Sequence, residues 1–156
     1  MKFAIASTLL PLLSTRAEYP GETDPTQRLA WSSNNEATLE FCKSGSSYGY
    51  RLPGATTCAF PGPLVRMEKG NTYKLTLRNS AADSSVITNI HTHGLHQVGD
   101  GDGDSVWMHV QGGACLDYTW NIRSDHPGGT YWYVEHNNQS PPHTNISYFN
   151  FFSPHI

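Results

Sequence analysis

Histidine is the residue type whose number and spacing in this chain most suggest chemistry. Eight of the 156 residues are histidines. His91 and His93 are separated by one residue and followed by Gly94, while His136 closes a later run of aromatic residues. Neutral imidazole is a good ligand for copper, zinc and nickel. The pattern predicts a metal site built from His91, His93 and His136.

The segments that carry these histidines alternate apolar and polar residues, which is typical of half-buried β-strands. The clearest run has Tyr73, Leu75 and Leu77 alternating with polar neighbours, and similar runs cover 86–91, 116–123 and 130–135. No long segment has a helical period. Because residues i and i+2 of a strand point to the same face, the two imidazoles of His-x-His are expected to project together. We predict an all-β fold, an antiparallel sandwich or barrel.

Composition excludes other classes of protein. Charged residues make up 15% of the chain, with 10 Lys and Arg against 13 Asp and Glu, and the net charge is −3. The sequence has no basic stripe, so nucleic acid is not expected as a partner. The hydrophobic content of 37% is too high for a disordered chain. The 14 glycines and 10 prolines are too many for a helical bundle.

The N-terminus has the pattern of a secretory signal. Lys2 supplies a positive charge, residues 3–13 are largely apolar, and small residues precede position 18. The apolar run is too short for a bilayer span, which needs ~20 residues. We predict a signal peptide over 1–17 and a single domain over 18–156, located extracellularly and not in a membrane after signal removal.

Secretion changes the interpretation of the three cysteines. In an oxidising compartment Cys42 and Cys58 could close a loop between two strands, and such a bond would constrain the unfolded chain. Cys115 would then be left over. It would be either a buried thiol or a residue whose partner is not in this chain.

A zinc hydrolase is one alternative. His91-x-His93-x-x-His96 is similar in spacing to hydrolase metal motifs, and the acids of 100–104 offer a general base to work on a metal-bound water. Leu95 stands where such motifs usually carry an aspartate, which disfavours this alternative.

A metal-free secreted β-domain is the other alternative. It would bind a partner or a polysaccharide through aromatic side chains such as Trp107, Trp120 and Trp132. Alternation places Trp120 and Trp132 with core-facing residues, so Trp107 is the least constrained of the three.

Three segments carry motifs in a fixed order: residues 60–66 read FPGPLVR, residues 90–96 read IHTHGLH, and residues 129–136 read GTYWYVEH. In order and spacing they resemble the multicopper oxidases, the family of the laccases and ascorbate oxidase. The last two segments are similar to the family's motifs His-x-His-Gly and Gly-Thr-x-Trp-Tyr-His-x-His. The resemblance implies a truncated member of the family. What remains would be its N-terminal plastocyanin-like (cupredoxin) domain, a Greek-key β-sandwich with copper as cofactor.

The resemblance also implies roles for individual residues. In the family the first motif supplies one ligand to the type 2 copper and one to a type 3 copper, and these positions are His91 and His93. Both histidines of the second motif bind the type 3 pair. The later one is His136, but the earlier position is Val134. One type 3 ligand is therefore expected to be missing.

Larger departures concern the rest of the copper machinery. The family's last domain contributes His-x-x-His-x-His and His-Cys-His patterns, and neither occurs in this sequence. A blue-copper site needs a thiolate with two histidines, yet no cysteine here adjoins a histidine. We expect a copper-binding domain that contributes part of a type 2/type 3 cluster and is not active alone. A partner chain or domain would supply the remaining ligands.

The C-terminal segment 140–156 diverges from the family pattern, in which an apolar closing strand is expected. Residues 147–152 are apolar enough to substitute for that strand. The alternative is that the segment is read-through from a truncated gene, which would leave the sandwich incomplete.

Overall fold

The structure is a computed structural model, and it describes residues 27–45, 47–59, 61–95, 108–135 and 146–152. The predicted signal peptide, His96, Trp107, the acids of 100–104 and His136 lie outside these ranges.

The described residues contain ten β-strands and no α-helix, which confirms the all-β prediction. In chain order the strands are β1 (Glu36–Ser44), β2 (Ser47–Arg51), β3 (Val65–Glu68), β4 (Thr72–Asn79), β5 (Ile87–Thr88), β6 (His91–His93), β7 (Val110–Gln111), β8 (Cys115–Asn121), β9 (Gly129–Val134) and β10 (Ile146–Phe152). In this part of the chain there is accordingly no helix that could cross a bilayer.

The strands form two four-stranded sheets and a two-stranded ribbon. The first sheet has the order β2-β1-β4-β8, the second has the order β3-β10-β9-β6, and β5 pairs with β7. The β1–β4 and β10–β3 pairs are parallel, which corrects the expectation of antiparallel pairing throughout. Parallel neighbours need a crossover connection rather than a hairpin, and both pairs are separated by intervening strands.

The two sheets face each other across one hydrophobic core. On β4 every second residue, starting from Tyr73, is buried, and β8 buries Tyr118 and Trp120 in the same way. Contacts between the sheets include the rings of Tyr50 and Tyr133, whose centroids are 5.2 Å apart. The alternation seen in the sequence is therefore the alternation between core and solvent on these strands.

The run predicted over 86–91 is interrupted. Thr88, Asn89 and Ile90 are all fully buried, so the alternation fails there and the chain passes from β5 to β6. Tyrosine hydroxyls replace the strand ladder: Tyr50 Oη donates to the Asn89 carbonyl at 3.2 Å, and the Ile90 N–H donates to Tyr118 Oη at 3.2 Å. Because these buried backbone groups are satisfied, the chain can change sheets here.

The divergent C-terminal segment supplies a central strand. β10 lies between β3 and β9, pairing in parallel with the first and antiparallel with the second. The expectation that residues 147–152 substitute for the closing strand is confirmed, since Ile146–Phe152 completes the second sheet.

A disulfide joins Cys42 on β1 to Cys58, which confirms the proposed loop closure. Cys115 is a free, exposed cysteine at the start of β8. The alternative in which Cys115 is a buried thiol was therefore wrong, because this residue lies at the end of a strand and not in its buried middle.

Removing the disulfide is expected to destabilise the domain measurably. The two cysteines are separated by 16 positions in sequence. A cross-link across a loop of that size lowers the entropy of the unfolded chain, so Cys42→Ser with Cys58→Ser should reduce the free energy of unfolding by about 3 kcal/mol. Urea denaturation would measure the loss. Cys115→Ser is the control and should change stability by less than about 0.5 kcal/mol. A double variant with the wild-type midpoint would contradict the assigned role.

Candidate metal centre

The histidine pair lies on β6, the strand at one end of the second sheet. β6 pairs antiparallel with β9 in the register His91↔Val134, Thr92↔Tyr133 and His93↔Trp132. Residues directly opposite in such a ladder share a face. Thr92 and Tyr133 are buried towards the core, so both histidines lie on the outer face, half-buried. This confirms that the two imidazoles project together.

The two imidazole rings are neighbours. The ring centroids of His91 and His93 are 4.7 Å apart with an interplanar angle of 77°. His93 also stacks on Trp132 with a centroid distance of 5.0 Å and an angle of 19°. The indole therefore restricts the orientations open to the His93 ring.

Trp132 itself is 42% exposed, so the prediction that it faces the core was wrong, whereas Trp120 is buried as predicted. A period of two shows only that Trp132 and Tyr133 point to opposite sides of β9. It does not decide which side is the core. In the structure Tyr133 takes the inner side, where its hydroxyl donates to the Pro63 carbonyl at 2.8 Å.

Val134 occupies the outer-face position directly opposite His91 and is 6% exposed. The sequence resemblance expects a ligand histidine at this position, and an isopropyl group cannot coordinate a metal. The position opposite His91 therefore carries an apolar side chain in place of the imidazole that the resemblance implies.

Two of the three predicted ligands are brought together, and the third, His136, lies outside the described residues. Within the described ranges there is no group of three or more His, Cys, Asp or Glu side chains that could hold a metal. Two adjacent, half-buried imidazoles are a donor set that suits copper. The described residues thus fit part of a copper site and leave it incomplete.

Glu135 follows Val134 but does not face the histidine pair. Its side chain is buried, and together with Tyr133 it adds to the effect of burial in raising the pKa of the Tyr50 phenol well above its usual value.

One histidine outside the two motifs is buried beside the pair. His126 has no histidine partner at metal spacing in the sequence, which is typical of an ordinary loop residue, yet it is 3% exposed and its ring approaches the carbonyl oxygen of Gly94, next to the histidine pair. The feature of the sequence that could have identified His126 is its position in the turn directly before the second motif. His109, in contrast, is exposed.

Gly94 is required at the end of the His-x-His strand for two reasons. Its φ is 90°, a conformation that favours glycine. In addition, a Cβ atom at this position would overlap the ring of Tyr131. The first motif therefore ends in a close packing of backbone against an aromatic ring.

Comparison with known proteins places the chain in a family. The family model described as "Multicopper oxidase" matches residues 55–149. Laccase-2 of Thanatephorus cucumeris is 37% identical over 81 residues, which are 49% of this chain and 14% of that protein. Laccase-2 of Pleurotus ostreatus is 32% identical over 90 residues, which are 54% of this chain and 16% of that protein. The chain thus spans a small part of the length of these relatives.

Solved structures agree on the fold. A laccase from Pediococcus acidilactici Pa5930 matches with a TM-score of 0.62 at 19% identity, over 82% of this chain and 29% of that one. A multicopper oxidase from Campylobacter jejuni, described as a metallo-oxidase, matches with a TM-score of 0.61 at 22% identity, over 84% of this chain and 31% of that one. These likenesses confirm a cupredoxin-like β-sandwich. On the family match, the chain belongs to the multicopper oxidases, whose cofactor is copper.

Proposed function

We propose that this chain is the copper-binding first domain of a multicopper oxidase-type oxidoreductase. It contributes His91, His93 and His136 to a type 2/type 3 copper cluster that another chain or domain completes. Copper bound there would supply one-electron redox chemistry towards dioxygen.

The observation that carries the proposal is the position of the histidine pair. His91 and His93 lie side by side on the outer face of β6, which ends its sheet among the described strands. An edge strand has one side without a strand neighbour, and His91 and His93 are half-buried there and not enclosed in the core. Ligands placed there are accessible to a partner, whereas ligands in the core of the sandwich would not be.

Incompleteness of the site explains why the domain is proposed to be inactive alone. Full reduction of dioxygen needs an electron-entry site as well as a complete cluster. Val134 lies beside His91 at the position of a family ligand, and its side chain cannot bind copper. Cys115 lies on β8 in the first sheet, whereas the histidine pair lies on β6 in the second, so the exposed thiol is not a ligand beside the pair.

Secretion is part of the proposal. The disulfide between Cys42 and Cys58 supports it, because such bonds persist in oxidising compartments. N-terminal sequencing of the exported protein is expected to find residue 18 first. Export with residues 1–17 still attached would contradict the signal assignment.

Copper titration of the metal-free protein tests the ligand set. A competing chromophoric chelator would give the affinity for Cu(II). His91→Ala, His93→Ala and His136→Ala should each weaken binding by at least about tenfold, or about 1.4 kcal/mol. His109→Ala is the matched control, because His109 is exposed and has no assigned role. Unchanged affinity in the three ligand variants, or an equal loss in the control, would overturn the assignment.

A metal-free binding domain is the second candidate, and the exposure of Trp132 favours it. An exposed indole is a common anchor for protein and carbohydrate partners. The same titration separates the two candidates, because a metal-free domain would bind no stoichiometric copper.

A further inference from the structure

We propose that His126 is a positioning residue for the histidine pair, which fastens the chain just after His93 to the turn that leads into β9. The role of His126 towards a metal rests on the proposed copper function. The link that His126 makes between the two backbone segments concerns the metal-free protein and can be tested without copper.

The imidazole of His126 bridges two backbone segments. Its Nε2 lies 2.8 Å from the carbonyl oxygen of Gly94, and its Nδ1 lies 2.7 Å from the carbonyl oxygen of Pro127. Gly94 directly follows His93, and Pro127 belongs to the turn before β9. A single buried side chain therefore connects the segments that carry the two histidine motifs.

Both partners of the ring are hydrogen-bond acceptors. A neutral imidazole donates from one nitrogen and presents a lone pair at the other. Both distances are in the normal range for an N–H···O hydrogen bond. The Pro127 carbonyl also accepts a hydrogen bond from Tyr131 Oη, so it is satisfied without the ring. We assign the ring proton to Nε2, where it donates to the Gly94 carbonyl.

Tyr131 completes the arrangement. Its Oη donates to the Pro127 carbonyl at 2.9 Å, and its ring meets the His126 ring edge-on at a centroid distance of 5.3 Å. The same ring fills the space where Gly94 would carry a side chain. The backbone of Gly94 is thus held by the Tyr131 ring and by the hydrogen bond from His126.

This support matters because β6 is weakly held by its ladder. The strand has three residues and, among the described strands, a single neighbour, β9. Short strands at a sheet edge open at low cost in free energy. A side-chain hydrogen bond at the end of β6 limits the motion of the backbone at His93, and a fixed ligand backbone is what a precise metal site requires.

The experiment uses two variants and a control. His126→Phe keeps a planar ring and removes both ring nitrogens, and His126→Gln keeps a donor for the Gly94 carbonyl. Tyr131→Phe is the control, since it removes the bond from Tyr131 to Pro127 and leaves the contact of His126 with Gly94. Nitrogen NMR of the isotope-labelled, metal-free wild type reports the ring protons, amide hydrogen exchange reports opening of β6, and electron paramagnetic resonance reports the environment of added Cu(II).

We expect NMR to show a proton on Nε2 of His126, the nitrogen that faces the Gly94 carbonyl. His126→Phe should speed amide exchange on β6 and weaken Cu(II) binding by about 10- to 100-fold, with a changed resonance spectrum, as for loss of a group that orients ligands. His126→Gln should fall between Phe and wild type, and Tyr131→Phe should keep the wild-type spectrum.

A lone pair on Nε2, or wild-type exchange and copper spectra in His126→Phe, would overturn the proposal. A wild type that binds no copper but shows the proton on Nε2, and faster β6 exchange in His126→Phe, would overturn the proposed function while supporting the structural link.

Discussion

Val134→His is expected to raise the affinity for Cu(II) by at least about tenfold, or about 1.4 kcal/mol. Val134 lies directly opposite His91 in the β6–β9 ladder, on the same outer face. Side chains in such a pair are within contact distance of each other. An imidazole at this position would therefore add a third nitrogen donor beside His91 and His93. Competition titration of wild type and variant in parallel would measure the gain.

The gain in copper affinity should be accompanied by a loss of stability without metal. Val134 is 6% exposed. Placing a polar ring there, where its hydrogen bonds are not provided, costs about 1–3 kcal/mol. Copper binds the site in the folded variant and not the unfolded chain. Saturating Cu(II) should therefore restore the lost free energy of unfolding.

Val134→Thr is the matched control for this prediction. It keeps the branched shape and introduces a polar group that is a poor copper ligand, so it should lose stability without gaining affinity. Equal copper affinity in Val134→His and Val134→Thr would show that this position does not border a metal site.

Ending the chain after residue 145 is expected to abolish folding. The deletion removes β10, which lies between β3 and β9 and pairs with both. Without β10 the second sheet is split between β3 and β9. The backbone N–H and C=O groups that pair with β10 lose their partners, and part of the core is exposed. The whole free energy of folding, about 5–15 kcal/mol for a domain of this kind, would be lost. Circular dichroism during urea denaturation would show no cooperative transition.

A chain that ends after residue 152 is the control, because it keeps β10 and lacks only the residues that follow it. It should unfold at the wild-type midpoint. Cooperative unfolding of the 1–145 chain at that same midpoint would mean that β10 is dispensable and that segment 140–156 is an unstructured addition.

Strands with one buried face were predictable from the sequence. β4 and β8 alternate strictly because one side of each packs into the core, and the hydrophobic pattern records that directly. The shared face of His91 and His93 follows from the same geometry. These features depend on local spacing, which a single sequence contains.

Features that depend on distant partners were not predictable in the same way. The inward side of β9 depends on the facing sheet, so Trp132 was placed wrongly. The burial of His126 depends on the Gly94 carbonyl, which is 32 positions away. The parallel pairs of β1 with β4 and of β10 with β3 likewise depend on the path of the chain between them.

Copper stoichiometry of the purified mature protein, with electron paramagnetic resonance and dioxygen uptake on the same sample, tests the central claim most directly. We predict stoichiometric Cu(II) with a non-blue spectrum, nitrogen coupling from imidazole that is reduced in His91→Ala, and no dioxygen uptake by the chain alone. Absence of bound copper would contradict copper binding. A blue thiolate–copper spectrum, or dioxygen uptake without a partner, would contradict the proposal that this domain holds only part of the site.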